Sequence, residues 1–441
     1  MEKRLTLLAA AFVLVAIGLL PVLAMIAKTF YGAGGFDLTA YEALLASGKQ
    51  LAVLMGHSVL LSLSVTIVAM IIGVPLGVLL GRTDLPYRGI LVIALTLPLL
   101  VPPYVFAVAW FTALGPAGLI GRALPAPAPE MLSRLLFSFY GCTGVLSTAF
   151  LPIPMLLTIA YVNRINPRLE QAALLMCGWP TVLWRITLPL TAPAILFAAM
   201  LVFLLTLGEV GVASFLRYPV YPAEVLTQFA AFYDFSAATA AALPMLIVTV
   251  MILALEFRFL HASILELNAP AYGRLPAPIK LGRWRFPLFG LVLAWTLVTI
   301  ALPMAVLIAQ SASLSVFANA FSRASDSILR SIVFAAAGAT LLTALGFFLG
   351  YLVHSRALAW WRGIDALALF LFTLPGTVIG VGLISLWNTP VTNVVYATPA
   401  IIVLGYIAQY AVLPTRMSAA TLQPSHPRWS RQRNFAGQAG S

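Results

Sequence analysis

Gly73-Val-Pro-Leu-Gly-Val-Leu-Leu-Gly-Arg-Thr-Asp-Leu-Pro-Tyr-Arg-Gly89 is where one long apolar run, 57–81, turns into another, 90–114. Neither run contains Asp, Glu, Lys or Arg, and the turn between them holds Arg82, Asp84 and Arg88. A helix of about 20 apolar residues crosses the hydrocarbon core of a bilayer, so this stretch reads as a membrane hairpin with a basic elbow. Working outward, the same reading gives about ten spans, at roughly 5–27, 57–81, 90–114, 136–162, 192–216, 237–257, 286–309, 329–353, 366–387 and 397–415. The chain of 441 residues is 62% hydrophobic and 9% charged, against about 25% charged in soluble domains. That excludes a secreted globular enzyme, a disordered chain and a nucleic-acid-binding domain. The expected fold is all-α, a polytopic membrane helix bundle.

The net charge of +12 follows sidedness. The first run follows Lys3 and Arg4, is too long for a signal-peptide core and shows no clear cleavage site, so it reads as a retained helix with a cytoplasmic N-terminus. The outer segments then hold Lys28, Lys49, Arg122, Arg134, Arg217, Arg323 and Arg330, and the other 18 of 25 basic residues fall inside. This is positive-inside asymmetry, facing the cytoplasm and anionic lipid. Cys142 and Cys177 belong to different segments, which leaves no disulfide framework. His57, His261, His354 and His426 lie near membrane edges or in loops. No metal site, catalytic residue or bound cofactor is expected, and no Gly-rich phosphate loop of the G-x-x-x-x-G-K-[ST] type occurs.

Two halves share an order of features. Gly73–Gly89 is followed by Thr96-Leu97-Pro98; Leu345–Arg356 is followed by Arg362-Gly363 and Thr373-Leu374-Pro375. The organisation read from this is a first half, 1–260, a basic linker, 261–285, rich in Pro, Gly and Arg, and a second half, 286–441. Proline inside spans (Pro98, Pro102, Pro103, Pro152, Pro154, Pro375) marks helices broken at membrane depth, a common transporter device.

The most informative segment is 163–190. It contains Asn166-Pro-Arg-Leu-Glu-Gln-Ala-Ala-Leu-Leu-Met-Cys-Gly178-Trp-Pro180 and ends Arg185-Ile-Thr-Leu-Pro189. Pro167 suits a first helical turn, and Leu169, Ala172, Ala173 and Met176 share one face. A break at 178–180 and a second short piece ending at Pro189 are expected. Here the chain resembles the inner-membrane permeases of binding-protein-dependent ATP-binding-cassette importers, whose cytoplasmic loop follows E-A-A-x3-G-x9-I-x-L-P. Ala172, Ala173, Gly178 (or Cys177 at the glycine place), Ile186, Leu188 and Pro189 carry the match. Gln171 occupies the glutamate place with Glu170 before it, and the spacing to Ile186 is one residue short. The resemblance implies a coupling helix that docks on a cytoplasmic ATPase, with ATP bound by that partner. Glu170 and Arg185 are then polar contacts at the docking rim, and a periplasmic solute-binding protein delivers the solute. Arg82–Pro86, Pro98, Pro102, Pro103, Gly208–Gly211 and Leu216–Pro219 look most like the fused ferric-iron importers; thiamine, polyamine and aminoethylphosphonate permeases of the same class are the alternatives.

Glu209 reads as the one carboxylate well inside a span, a path-lining residue or interhelical glue; an ion-coupled secondary transporter, the competing class, usually has several. Tyr104 and Tyr140 are weaker path candidates. Outer segments 28–56, 115–135 and 217–236 are where a binding protein is expected to touch. In the second half, Pro427-Arg428 takes the place of Pro167-Arg168, but no second coupling loop follows, and a truncated or frame-shifted second half is the expectation.

Overall fold

The computed structural model describes residues 2–32, 35–36, 38–116, 118–120, 125, 127–259, 278–311 and 313–422. Among these, seven helices are long and apolar enough to cross a membrane, or ten spans if each of three bent pairs counts as one. In chain order they are α1 (Arg4–Thr29), α2 (Gly48–Arg82), the bent pair α3 (Arg88–Leu100) and α4 (Pro103–Leu114), and α5 (Phe139–Val162). After the short α6 (Pro167–Leu174) come α7 (Trp179–Leu207), α8 (Gly211–Phe215) and α9 (Phe235–Glu256). Then follow α10 (Gly282–Ser311), α11 (Phe317–Ser355), the bent pair α12 (Trp361–Thr373) and α13 (Gly376–Trp387), and the bent pair α14 (Ala400–Tyr410) and α15 (Val412–Thr421). The fold is an all-α membrane helix bundle, its only described strands being the two-residue pair Tyr31–Gly32 and Gly35–Phe36. Most of the linker, 260–277, and residues 423–441 with the expected truncation lie outside the described residues.

The same packing occurs twice. On α2, Gly77 faces α5 so closely that a Cβ there would lie 2.6 Å from Thr158 Cβ and 2.7 Å from the Met155 carbonyl. On α11, a Cβ at Gly350 would lie 2.6 Å from Ser418 Cβ and 2.6 Å from the Thr415 carbonyl of α15. One turn earlier, Gly73 meets Pro154 and Gly346 meets Pro414. With little hydrophobic force between helices in lipid, small residues that let backbones approach supply the association.

The first helix of each half packs across onto the other. Pro21 of α1 lies against Gly382 of α13, and Leu7, Leu14 and Val22 share a core with Ile364, Leu371 and Leu383. Reciprocally, Val292 and Ile300 of α10 share a core with Leu91 and Leu95 of α3. Both crossing helices carry a π turn, Val15–Leu19 and Leu297–Ala301, immediately before a Leu-Pro pair. A third, Leu183–Thr187, precedes Leu188-Pro189. Proline removes one donor and crowds the carbonyl a turn earlier, and the wider π turn absorbs both defects. Pro189 therefore does not end a separate short piece: α7 runs unbroken from Trp179 to Leu207.

The helix breaks correct the expected register of the halves. α3 and α4 bend by 100° and α12 and α13 by 106°. The bends fall at Pro102 (φ −53°, ψ 135°) and Pro375 (φ −54°, ψ 135°). Pro98 stays inside α3. Pro375 thus corresponds to Pro102, not Pro98, and the spacing Gly73 to Pro102 equals that from Gly346 to Pro375. Proline followed by a first helical turn makes a sharp corner wherever the preceding residue is extended, as Val101 is.

Replacing Gly77 by Ala is expected to destabilise the protein by about 1–3 kcal/mol through overpacking against backbone. Gly144→Ala, where a Cβ meets nothing within 4 Å, leaves the thermal midpoint in detergent unchanged or raised. Equal midpoints for the two variants would refute the close-packing account.

Candidate functional site

The elbow that closes α2 is also the seat of the 163–190 loop. α6 starts on Pro167, and the Asn166 side chain caps it by accepting the Arg168 N–H at 3.0 Å. Glu170, in the first turn, points inward. It forms a buried ion pair with Arg82, and it accepts the Thr187 hydroxyl at 2.8 Å. Glu170 and Arg82 are each 2% exposed. Glu170 is therefore not at a docking rim, because its carboxylate is consumed as the bolt between the loop and α2. Gln171, at the family's glutamate place, is exposed instead.

The loop exposes four large apolar side chains among polar ones. Leu175 and Met176 are 88% and 91% exposed, and Leu169 and Trp184 are exposed as well. Ala172, Gly178, Arg185 and Pro189 are also exposed; Ala173, Ile186 and Leu188 are half-buried. A Cβ at Gly178 would meet only Pro180 Cδ, at 3.7 Å, so nothing inside this chain demands glycine there.

Arg82 and its neighbours carry a second attachment. The Arg82 carbonyl accepts the Ile279 N–H at 2.7 Å, Asp84 N–H donates to the Ile279 carbonyl at 3.2 Å, and Asp84 Oδ1 accepts the Leu281 N–H at 2.9 Å. One turn of chain thus holds the loop, the base of α2 and the residues that lead into α10.

Deeper in the bundle three interruptions meet. Gly208, just past α7, abuts Pro375 at the α12–α13 corner, and Gly211 lies beside Tyr104, two residues beyond the Pro102 corner. Glu209 sits in this break and not in mid-helix as expected. Its Oε1 accepts the Val212 N–H at 3.0 Å, at the start of α8. Tyr104 packs edge-on against Phe215 with centroids 5.1 Å apart. Gln409 offers its amide to the Leu374 carbonyl at 3.5 Å. Backbone groups freed at membrane depth need such partners or a water-filled path. Tyr140 is exposed near the start of α5, away from this junction.

No protein-family model matches the chain. It is similar to the Fe(3+)-transport system permease protein FbpB 2 of Haemophilus influenzae, 25% identical over 404 residues, 88% of this chain and 73% of that protein. It is also 33% identical over 162 residues to the molybdenum transport system permease protein ModB of Escherichia coli, covering 35% of this chain and 69% of the relative. The chain belongs to the ATP-binding-cassette importer permeases. A putative ferric transport system permease of H. influenzae, FbpB 1, is 22% identical over 83% of this permease and 61% of its own length.

This permease also contains charges that its sequence pattern did not single out. Asp365 of α12 is buried and receives two hydrogen bonds from Arg416 of α15, at 3.3 and 3.2 Å. The Arg416 guanidinium also lies 5.8 Å from the Phe197 ring of α7. Glu256, at the end of α9, is buried with Oε2 lacking a hydrogen-bond partner among the described residues. Glu209 is thus not the lone carboxylate within the bundle. Each of these three lies near a helix end in sequence, where it reads as an interfacial charge until the second half is folded against the first.

Arg82→Met leaves a buried carboxylate with a single hydroxyl for company. Breaking one side of a buried pair costs about 3–5 kcal/mol, and the thermal midpoint should fall accordingly. The double variant Arg82→Met/Glu170→Gln should recover a large part of the loss; purely additive losses would show that the pair does not hold the loop.

Proposed function

We propose that this permease couples solute passage to ATP hydrolysis by a separate cytoplasmic ATPase that docks on the 163–190 loop. The supporting observation is the exposed Leu169, Leu175, Met176 and Trp184 surface around Gly178. Large apolar side chains exposed together on a loop outside the spans favour a protein contact. Ala172, Ala173 and Gly178 let the partner approach, and Gln171 and Arg185 provide polar contacts at its rim. Glu170, Ile186 and Leu188 act on the inner side, joining the loop to Arg82 and to the π turn of α7, and the exposed Pro189 follows that turn. A push on the loop then reaches α2 through Arg82 and the second half through Asp84 and Ile279. The N-terminus lies in the cytoplasm of a bacterial inner membrane, in keeping with the charge asymmetry, and a periplasmic binding protein presents solute on the opposite face.

Ferric iron is the solute this reading favours. The two relatives named for ferric transport align with 88% and 83% of the chain. Molybdenum is the second reading, carried by the higher identity of the shorter match. Glu209, between the Pro102 and Pro375 corners, lines the path.

Gly178→Asp preserves the fold, because a side chain fits there, yet should abolish co-purification with the ATPase and stop uptake. Retained partner binding would remove the docking assignment. Uptake of radioactive iron against radioactive molybdate in cells carrying the whole transporter decides the solute. Glu209→Gln is expected to lower uptake at least tenfold while the ATPase still co-purifies; unchanged uptake would reduce Glu209 to a cap for α8.

A further inference from the structure

The two ends of the bundle differ around the junction of broken helices. On the face opposite the Arg82 elbow, an open cavity of about 410 Å³ lies between the ends of α1 and α13 and the start of α9. On the elbow side, α7, α9 and α12 close on a cavity of about 10 Å³. That volume admits one water at most. Leu204, one helical turn before Gly208, lines it together with Leu253 and Glu256 of α9 and Leu369 and Thr373 of α12. Its wall therefore belongs to both halves, and Thr373 stands two residues before the Pro375 corner.

Glu256 is the anomaly in this packing. It is 2% exposed, and its Oε2 has no hydrogen-bond partner among the described residues. Thr373 gives its hydroxyl proton to the Leu369 and Phe370 carbonyls, so it has none for a carboxyl. Arg416 attracts Glu256 and Asp365 repels it. The hydrogen bonds from the Arg416 guanidinium to a carboxylate go to Asp365, in its own half, and the guanidinium meets the first half over the Phe197 ring. A buried polar oxygen without a partner has a free-energy cost that water removes. Glu256 is in the first half, and Arg416 and Asp365 are both in the second. Parting the halves on this side would wet Glu256 and leave the Arg416–Asp365 pair whole. Closure here is thus opposed from within, on the same face as the 163–190 loop.

We propose that Glu256 is a built-in opening device, a carboxyl kept dry where the halves meet, which biases the elbow-side closure toward release. The inference rests on the reading that solute passes between the halves. Opening is read without ATPase, ATP or solute, so its failure is separable from failure of coupling.

The test is the labelling rate of Leu253→Cys by a hydrophilic maleimide, in the full chain carrying Cys142→Ala and Cys177→Ala and held in lipid nanodiscs. Leu253 is buried in the closed arrangement, so labelling reports opening. Glu256→Met is expected to slow it at least fivefold, and Glu256→Leu should act alike. Arg416→Met with Asp365→Asn removes the attraction without orphaning a carboxylate, and should speed labelling at least fivefold. Adding Glu256→Met to that pair should reverse the gain. Ser236→Cys, exposed at the opposite cavity, should label at one rate in all these backgrounds. Unchanged or faster labelling of Leu253→Cys in both Glu256 variants would overturn the proposal. So would an acceleration that survives Glu256→Met, or a matching change at Ser236→Cys, which marks general loosening.

Discussion

The buried pair between Arg82 and Glu170 is the constraint on which the rest of this permease depends. Two full charges withdrawn from water are costly, and one further bond, from Thr187, is all that Glu170 gains. The pair joins a short loop, whose own helix is too short to be stable alone, to the foot of a 35-residue span. Through the Arg82 carbonyl and Asp84 the same turn receives residues 279–281. Continuity across the face is thus concentrated in one turn of chain, at Arg82 and Asp84.

Inside the bundle the two halves interlock instead of merely abutting. α1 fills a groove of the second half and α10 fills one of the first, so neither can rotate as a free body without dragging the other's lead helix. The sharp corners at Pro102 and Pro375 meet the Gly208–Glu209 break between these crossing helices. Solute passage through such a bundle needs polar backbone at depth, and corners supply it at positions where neighbouring helices already crowd.

Much of this was legible in the sequence. Ten spans follow from runs of uncharged apolar residues, and α6 from Asn166-Pro167. Other features depend on pairings distant in the chain. Glu170 meets Arg82 across 88 residues, and single-helix periodicity says only that Glu170 lies in a first turn. Pro98 and Pro102 are equal as sequence signals; the corner falls at the latter because Pro103 opens a fresh helix behind it. The π turns carry no composition mark beyond the Leu-Pro that follows. Asp365, Arg416 and Glu256 become a cluster only when α12, α15 and α9 are side by side.

The π turn at Leu183–Thr187 has a geometric consequence. Its i to i+5 bond, from Leu188 N–H to the Leu183 carbonyl, houses one residue more than an α turn would. Each residue is worth about 100° of rotation and 1.5 Å of rise. The loop and the lipid-facing part of α7 are therefore phased by a slack of one residue, stored within sight of Glu170. Tightening that slack would swing Leu175 and Met176 about the α7 axis while every proline downstream kept its place.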